Sequence, residues 1–279
     1  MNVTLWGTRG SLATPGYQTE RYGGNTSCVE LRSAKRQLLV LDAGTGIRPL
    51  GAALSSEGGR VDILLTHLHM DHVQGLGFFA PLFLPDFEVH IWGPPSTTLD
   101  LRDRLSRYLS PPLFPVQMRD LPCQLSLHNA PLEEFDIGSL RIRASLVSHP
   151  GPTVGYRIGE GSKAVTYLPD HEPALGCRLF PERADWTSGF DLAEGADLLI
   201  HDAQYTAEEY AMHVGWGHSS IDHTLAFAAM TGVKRLVTFH HDPQHDDATI
   251  DNVIREARRS GDLPFDVIGG TEGASFEVN

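Results

Sequence analysis

The sequence predicts an α/β fold: a four-layer αβ/βα sandwich of two mixed sheets packed face to face, with helices outside. Three observations predict it. Apolar and β-branched runs of strand length recur along the whole chain. Helical periodicity is confined to three places, and the order of strands and helices in the first half is repeated in the second. The 28 glycines and 18 prolines supply turns between short elements.

Strands are expected at 3–6, 27–31, 37–41, 61–66, 88–92, 140–147, 153–158, 164–168, 198–200 and 235–239, each followed by turn residues. A short helix is expected over 47–55, after Gly44 and Gly46. A second covers 221–230, with Ser219 or Ser220 as N-cap and Gly232 as stop. The third spans 249–259, carries Ile250, Val253, Ile254 and Ala257 on one face, and ends at Gly261. The proline-rich stretch 78–125 is the least regular and is expected to fold over the mouth of a site. No repeat or low-complexity linker breaks the chain, so residues 1–279 read as a single domain.

A formal net charge of −13 disfavours a long polyanion as main partner, since such binding relies on clustered Lys and Arg releasing counterions. The apolar runs are too short to span a bilayer, so no membrane partner is expected. The first residues read as a strand and not as a signal peptide, and a cytoplasmic protein is expected. Cys28, Cys123 and Cys177 are far apart and form no CxxC pair, so they read as buried apolar residues.

Fourteen histidines is a high count, and their placement carries the chemistry. His67-Leu68-His69-Met70-Asp71-His72 puts four metal-binding groups within six residues, directly after a strand. A turn there lets His67 and His69 point to one centre while Asp71 and His72 swing to a second. Imidazole and carboxylate donors suit zinc, with manganese and iron as competitors. Two such ions can clamp the attacking and leaving oxygens of a hydrolytic displacement. Three later strands also end in ligand-type residues: His149, Asp170 and His240. His241 competes with His240, which is preferred because it directly continues its strand.

With these motifs in order, the chain resembles the metallo-β-lactamase fold superfamily of metallohydrolases. The resemblance covers nearly the whole chain, with Asp42 at the first acidic motif and 67–72 as HxHxDH. It implies that His67, His69 and His149 bind one metal, that Asp71, His72 and His240 bind the other, and that Asp170 bridges them. Asp42 is expected to organise the backbone and not to touch a metal. The opening residues Gly7-Thr8-Arg9-Gly10-Ser11 and 22–27 are similar to those of the ribonuclease Z and PhnP-like phosphodiesterase branch. Gly217-His218-Ser219-Ser220 resembles that branch's histidine motif, and 200–203 its acidic segment. His218 is thus the expected proton donor, held by a carboxylate such as Asp202 or Asp71, with Asp71, His218 and Asp202 as the catalytic set.

The resemblance implies two divalent ions, Zn²⁺ first, with Mn²⁺ or Fe²⁺ as alternatives. A small phosphodiester, cyclic ones included, is the expected substrate. A tRNA 3′-processing endonuclease is disfavoured. Its group carries a protruding arm between the third and fourth motifs, whereas only 20 residues separate His149 from Asp170 here. The 172–194 insertion is not basic either. PhnP-like enzymes also use a cysteine and histidine cluster for a structural zinc, which this chain lacks. A lactone or thioester hydrolase, and a metal-binding sensor without turnover, are the other readings. Homodimerisation is compatible with the group, and no segment marks an interface for it. Phe78, Phe79, Phe83 and Phe114 are read as core in preference to a wall for a base or sugar. His171 and His201 are read as local hydrogen bonders.

Overall fold

The computed structural model describes residues 1–174, 177–259, 261 and 263–279; positions 175 and 176 of the 172–194 insertion lie outside the described residues. In chain order the strands are β1 (Asn2–Gly7), β2 (Cys28–Arg32), β3 (Leu38–Leu41), β4 (Gly59–Leu64), β5 (Phe87–Gly93), β6 (Gln124–Asn129), β7 (Glu134–Ile137) and β8 (Leu140–Leu146). They continue with β9 (Val154–Glu160), β10 (Lys163–Leu168), β11 (Leu198–Asp202), β12 (Arg235–Phe239), β13 (Asp266–Gly269) and β14 (Ser275–Glu277). The helices are α1 (Ile47–Leu54), α2 (Met70–Val73), α3 (Leu101–Ser106), α4 (Phe190–Ala193), α5 (Ala207–His213), α6 (Ile221–Thr231) and α7 (Asp247–Arg259).

Two seven-stranded sheets result, ordered β14-β1-β2-β3-β4-β5-β6 and β13-β12-β11-β10-β9-β8-β7. Both are mixed. From β3 to β6 the first sheet is parallel, as the second is from β10 to β13, and the remaining pairs are antiparallel. The expected sandwich is the observed one.

Alternation along the strands explains the layering, because successive side chains point to opposite faces. Leu39 and Leu41 face Tyr156, Val165 and Ile200 in the core between the sheets. Leu38 and Val40 face the other way, onto Ile47, Leu50 and Leu54 of α1. In the second sheet Leu199 and Leu236 turn outward to Leu225, Phe227 and Ala228 of α6. Burying each such side chain stabilises the fold by about 1.5–3 kcal/mol relative to exposure.

Helix ends follow local chemistry. Ser220 accepts from the His223 backbone N–H and caps α6, which stops at Gly232 in the left-handed region. Thr206 and Glu209 form a capping box at α5. The 78–125 stretch holds β5, α3, the start of β6 and two short 3₁₀ turns, and its 94–113 portion walls the site mouth. Its phenylalanines divide: Phe79 and Phe114 are buried, while Phe78 and Phe83 are exposed. Cys28 and Cys123 are buried, but Cys177 is exposed, which corrects the expectation that all three are core residues. Cys177 lies in a loop outside the strands and has no sheet face to pack against.

Candidate metal centre

Strands β3, β4, β8, β10, β11 and β12 end along one edge of the sandwich, and the site is built from the residues at and just past those ends. Seven of them form two adjacent donor groups. His67, His69 and His149 make one; Asp71, His72, Asp170 and His240 make the other. Asp170 lies between them: its Oδ2 is 3.7 Å from His67 Nε2, 3.8 Å from His149 Nε2 and 3.3 Å from His240 Nε2. Its Oδ1 is 2.9 Å from His72 Nε2.

Four of the five imidazoles are oriented through Nδ1. His72 Nδ1 donates to Asp42 Oδ2 at 2.8 Å, His149 Nδ1 to the Gly217 carbonyl at 2.8 Å, and His240 Nδ1 to Gln204 Oε1 at 2.9 Å. His67 Nδ1 donates to the Thr66 hydroxyl, which itself donates to Asp42. These bonds leave the Nε2 atoms of those four to face the centre, where His69 Nδ1 lies 3.3 Å from His149 Nε2. Asp42 therefore touches no donor-group centre and instead holds His72, Thr66 and the Tyr167 hydroxyl, as expected of it. Its φ of 59°, like the 60° of His240, bends the chain sharply at the strand end and aims the side chain into the site.

The donor set fits divalent cations. His67 Nε2, His72 Nε2 and Asp170 Oδ1 are buried without a hydrogen-bond partner, an arrangement that is costly unless another group satisfies them. The close approach of the last two lacks hydrogen-bond geometry, as expected of lone pairs aimed at a shared third point. Asp42, Asp71 and Asp170 are all buried, and among the described residues no Lys or Arg pairs with any of them. Burial lowers the pKa of His67, His69 and His149, keeping them in the neutral, ligating form. Burial also opposes protonation of His72, yet the Asp170, Asp71 and Asp42 carboxylates raise its pKa; that excess negative charge is what cations would answer.

His218 sits beside this cluster, stacked on His240 with ring centroids 4.9 Å apart. Its Nδ1 donates to Asp202 Oδ2 at 2.7 Å. Burial alone would lower its pKa, but Asp202, with smaller contributions from Asp170 and Asp71, raises it to about 9. Asp202 is buried and fixed by the Gln204 and Ser219 backbone N–H groups on Oδ1 and by that of His171 on Oδ2. Of the two carboxylates weighed for holding His218, the geometry selects Asp202. Asp71 faces the second donor group, where its Oδ2 accepts from the Ser11 backbone N–H at 2.8 Å.

His241 turns away, donating from Nε2 to the Gly270 carbonyl at 2.8 Å, so His240 alone of that pair joins the cluster. His171 and His201 bond to each other at 2.9 Å, and His201 Nδ1 donates to the Asp202 carbonyl, as local bonders do.

Three supporting residues escaped sequence reasoning. Glu172 is buried and accepts from the Tyr210 hydroxyl and from the backbone N–H groups of Gly215 and Gly217, so it fixes the loop that carries His218 and orients His149. Gly217 itself has φ 91°, and a Cβ there would lie 2.5 Å from His149 Nδ1. Gln204 orients His240, and Arg9, fully buried, ties Gly23 to the carbonyls of Asp242 and His245. None of these positions has a spacing signal; Gln204 was legible only as a neighbour of Asp202.

The fold and this centre define a metallohydrolase of the metallo-β-lactamase type. Residues 38–241 match the beta-lactamase superfamily domain, and the chain belongs to that family. A Ribonuclease Z of Thermosynechococcus vestitus is 26% identical over an alignment covering 92% of this chain and 71% of its own. Among solved structures, the metallo-beta-lactamase fold protein YhfI from Bacillus subtilis superposes with a TM-score of 0.72 at 19% identity over 99% of both chains. A diphosphatase from the PhnP family gives 0.71 at 17% identity, covering 100% of this chain and 98% of its own. The chain is a metal-dependent hydrolase in this family's fold, and its donors suit divalent ions. Among the described residues no helix is long and apolar enough to cross a membrane.

Proposed function

We propose that residues 1–279 form one catalytic domain, a phosphodiesterase that cleaves small phosphodiesters, cyclic ones included, in the cytoplasm. The observation that carries this reading is the 2.7 Å His218–Asp202 pair placed against the metal-donor cluster. Thioester cleavage at a metal pair expels a thiolate and has no need of such a histidine, whereas an alkoxide leaving phosphorus needs a proton.

In this reading His67, His69 and His149 would hold one ion and Asp71, His72 and His240 the other, with Asp170 shared between the two donor groups. Zn²⁺ is the first choice, with Mn²⁺ and Fe²⁺ sharing the same donor preference. Bound there, two ions supply Lewis acidity and a water activated near neutral pH. The chain's own residues do the rest. Asp202 keeps His218 protonated and directs its Nε2 toward the leaving oxygen. Asp42, Gln204 and the Gly217 carbonyl hold the imidazoles in their ligating tautomers. Three unpaired cysteines suit a reducing compartment.

The relatives named Ribonuclease Z favour a second reading, an RNA substrate. Two features weigh against it: the net charge of −13, and a β9–β10 hairpin filling the 150–169 interval where the arm of a tRNA-binding enzyme would emerge. The test is hydrolysis of an alkyl phosphodiester, whose leaving alkoxide needs a proton, against lactone, thioester and pre-tRNA substrates, using metal-loaded wild type and His218→Ala. Phosphodiester cleavage that drops in the variant is the expected result. Cleavage of lactone or thioester alone, or phosphodiester turnover unchanged in the variant, would overturn the reading.

A further inference from the structure

Two separate cavities meet the donor cluster. One, of 350 Å³, is lined by His218 together with Trp216, His213, Gln204 and Asp242. The other, of 540 Å³, opens at His67 and His69 and lies within the size range of small-molecule sites. Its wall is largely apolar: Met70, Leu99, Tyr108, Leu113 and Pro152. The loop that forms this wall is tied down, because the Arg104 guanidinium donates to the carbonyls of Pro94 and Asp100. At the rim Arg107 is exposed, and among the described residues it has no carboxylate partner.

The two cavities are chemically unlike, and the placement of His218 tells them apart. A leaving alcohol takes its proton from His218 and so departs on that side. The ester arm that stays on phosphorus is left to the cavity beside His67 and His69. We propose that this cavity is a specificity subsite for the retained arm, selecting an apolar ring-bearing group with an anionic or carbonyl substituent at its outer end for Arg107. The inference rests on the phosphodiesterase reading and narrows it to unsymmetrical diesters with a ring-bearing retained arm.

Three probes share p-nitrophenolate as the leaving group: methyl, 1-naphthyl and 4-carboxyphenyl p-nitrophenyl phosphate. Ring burial at ~25 cal/mol per Å² predicts a naphthyl-over-methyl preference in kcat/KM of about 10–100-fold for the metal-loaded wild type. Leu113→Asp, at an exposed position, should cut that preference to a few-fold, and Leu99→Ala should reduce it in the same direction. Arg107→Ala should lower the rate with the carboxyphenyl ester about 5–10-fold more than with the naphthyl ester. Turnover of methyl and naphthyl esters within threefold of each other in wild type would overturn the subsite and leave the phosphodiesterase standing. A naphthyl preference unchanged in both leucine variants would overturn it as well. Failure to cleave any of the three would remove the phosphodiesterase reading and the subsite with it.

Discussion

Asp202 and His218 meet through a 2.7 Å carboxylate–imidazole bond whose carboxylate is itself pinned by three backbone N–H groups. A pinned carboxylate cannot turn away, so the histidine keeps both its orientation and its proton. The pairing unites residues at the end of β11 and just before α6, 16 positions apart in sequence.

Removing the proton donor tests that role directly. His218→Ala should lower kcat on an alkyl phosphodiester by about 10²–10⁴ while metal content per chain stays as in wild type. Steady-state kinetics paired with elemental analysis reads both quantities. Equal loss of metal and activity would make His218 a structural or ligating residue instead.

The pH profile carries a sign. His218 must be protonated to donate, and Asp202 raises its pKa to about 9, so the alkaline limb of kcat should lie above the ordinary histidine value. In Asp202→Asn the limb should move down toward about 6.5. A limb that stays in place would detach Asp202 from the proton.

Asp42 acts through His72. Losing its carboxylate frees the His72 ring and removes the acceptor of the Thr66 and Tyr167 hydroxyls. Asp42→Asn should weaken metal binding about 10–100-fold in chelator competition, as loss of a ligand's hydrogen-bond partner does elsewhere.

Glu172 holds three donors at once. Glu172→Ala strands them in a buried setting at about 1–3 kcal/mol each, so urea unfolding should show a loss of several kcal/mol and kcat should fall as the 215–217 loop loosens. Glu172→Gln keeps the shape and should recover part of both.

Acid stability follows from the buried imidazoles. Burial lowers His201 to about 4, against 6.5 for the unfolded chain. Between those values the unfolded state binds the proton and the folded state does not, so stability is present above pH 6.5 and declines as pH falls toward 4. The slope from this group approaches 1.4 kcal/mol per pH unit, and denaturant titrations at pH 7, 6, 5 and 4 would read it. His201→Gln should flatten the decline.

The layering and the donor cluster were legible in the sequence for the same reason. Strands such as β4 and β12 are apolar runs that stop abruptly at a ligand-type residue, and parallel strand ends collect along one edge. Strands β6 and β7 were not legible, because Gln124–Asn129 and Glu134–Ile137 lie at the sheet edges, half-buried, and mix polar with apolar side chains. Helix α5 was marked by Thr206 and Glu209 at capping-box spacing, a local signal that was passed over. Glu172, Gln204 and Arg9 act through tertiary hydrogen bonds across up to 236 positions, which no local pattern encodes. The His90–His128 pair, 2.8 Å apart on neighbouring strands, is hidden in the same way.

The central claim is that seven side chains from four strand ends hold two cations, and counting the metal per folded chain tests it most directly. Protein loaded with Zn²⁺ and freed of excess ion should carry two ions per chain by elemental analysis, with anomalous peaks on either side of Asp170. A folded chain that retains none, or that binds ions away from Asp170, would contradict the account.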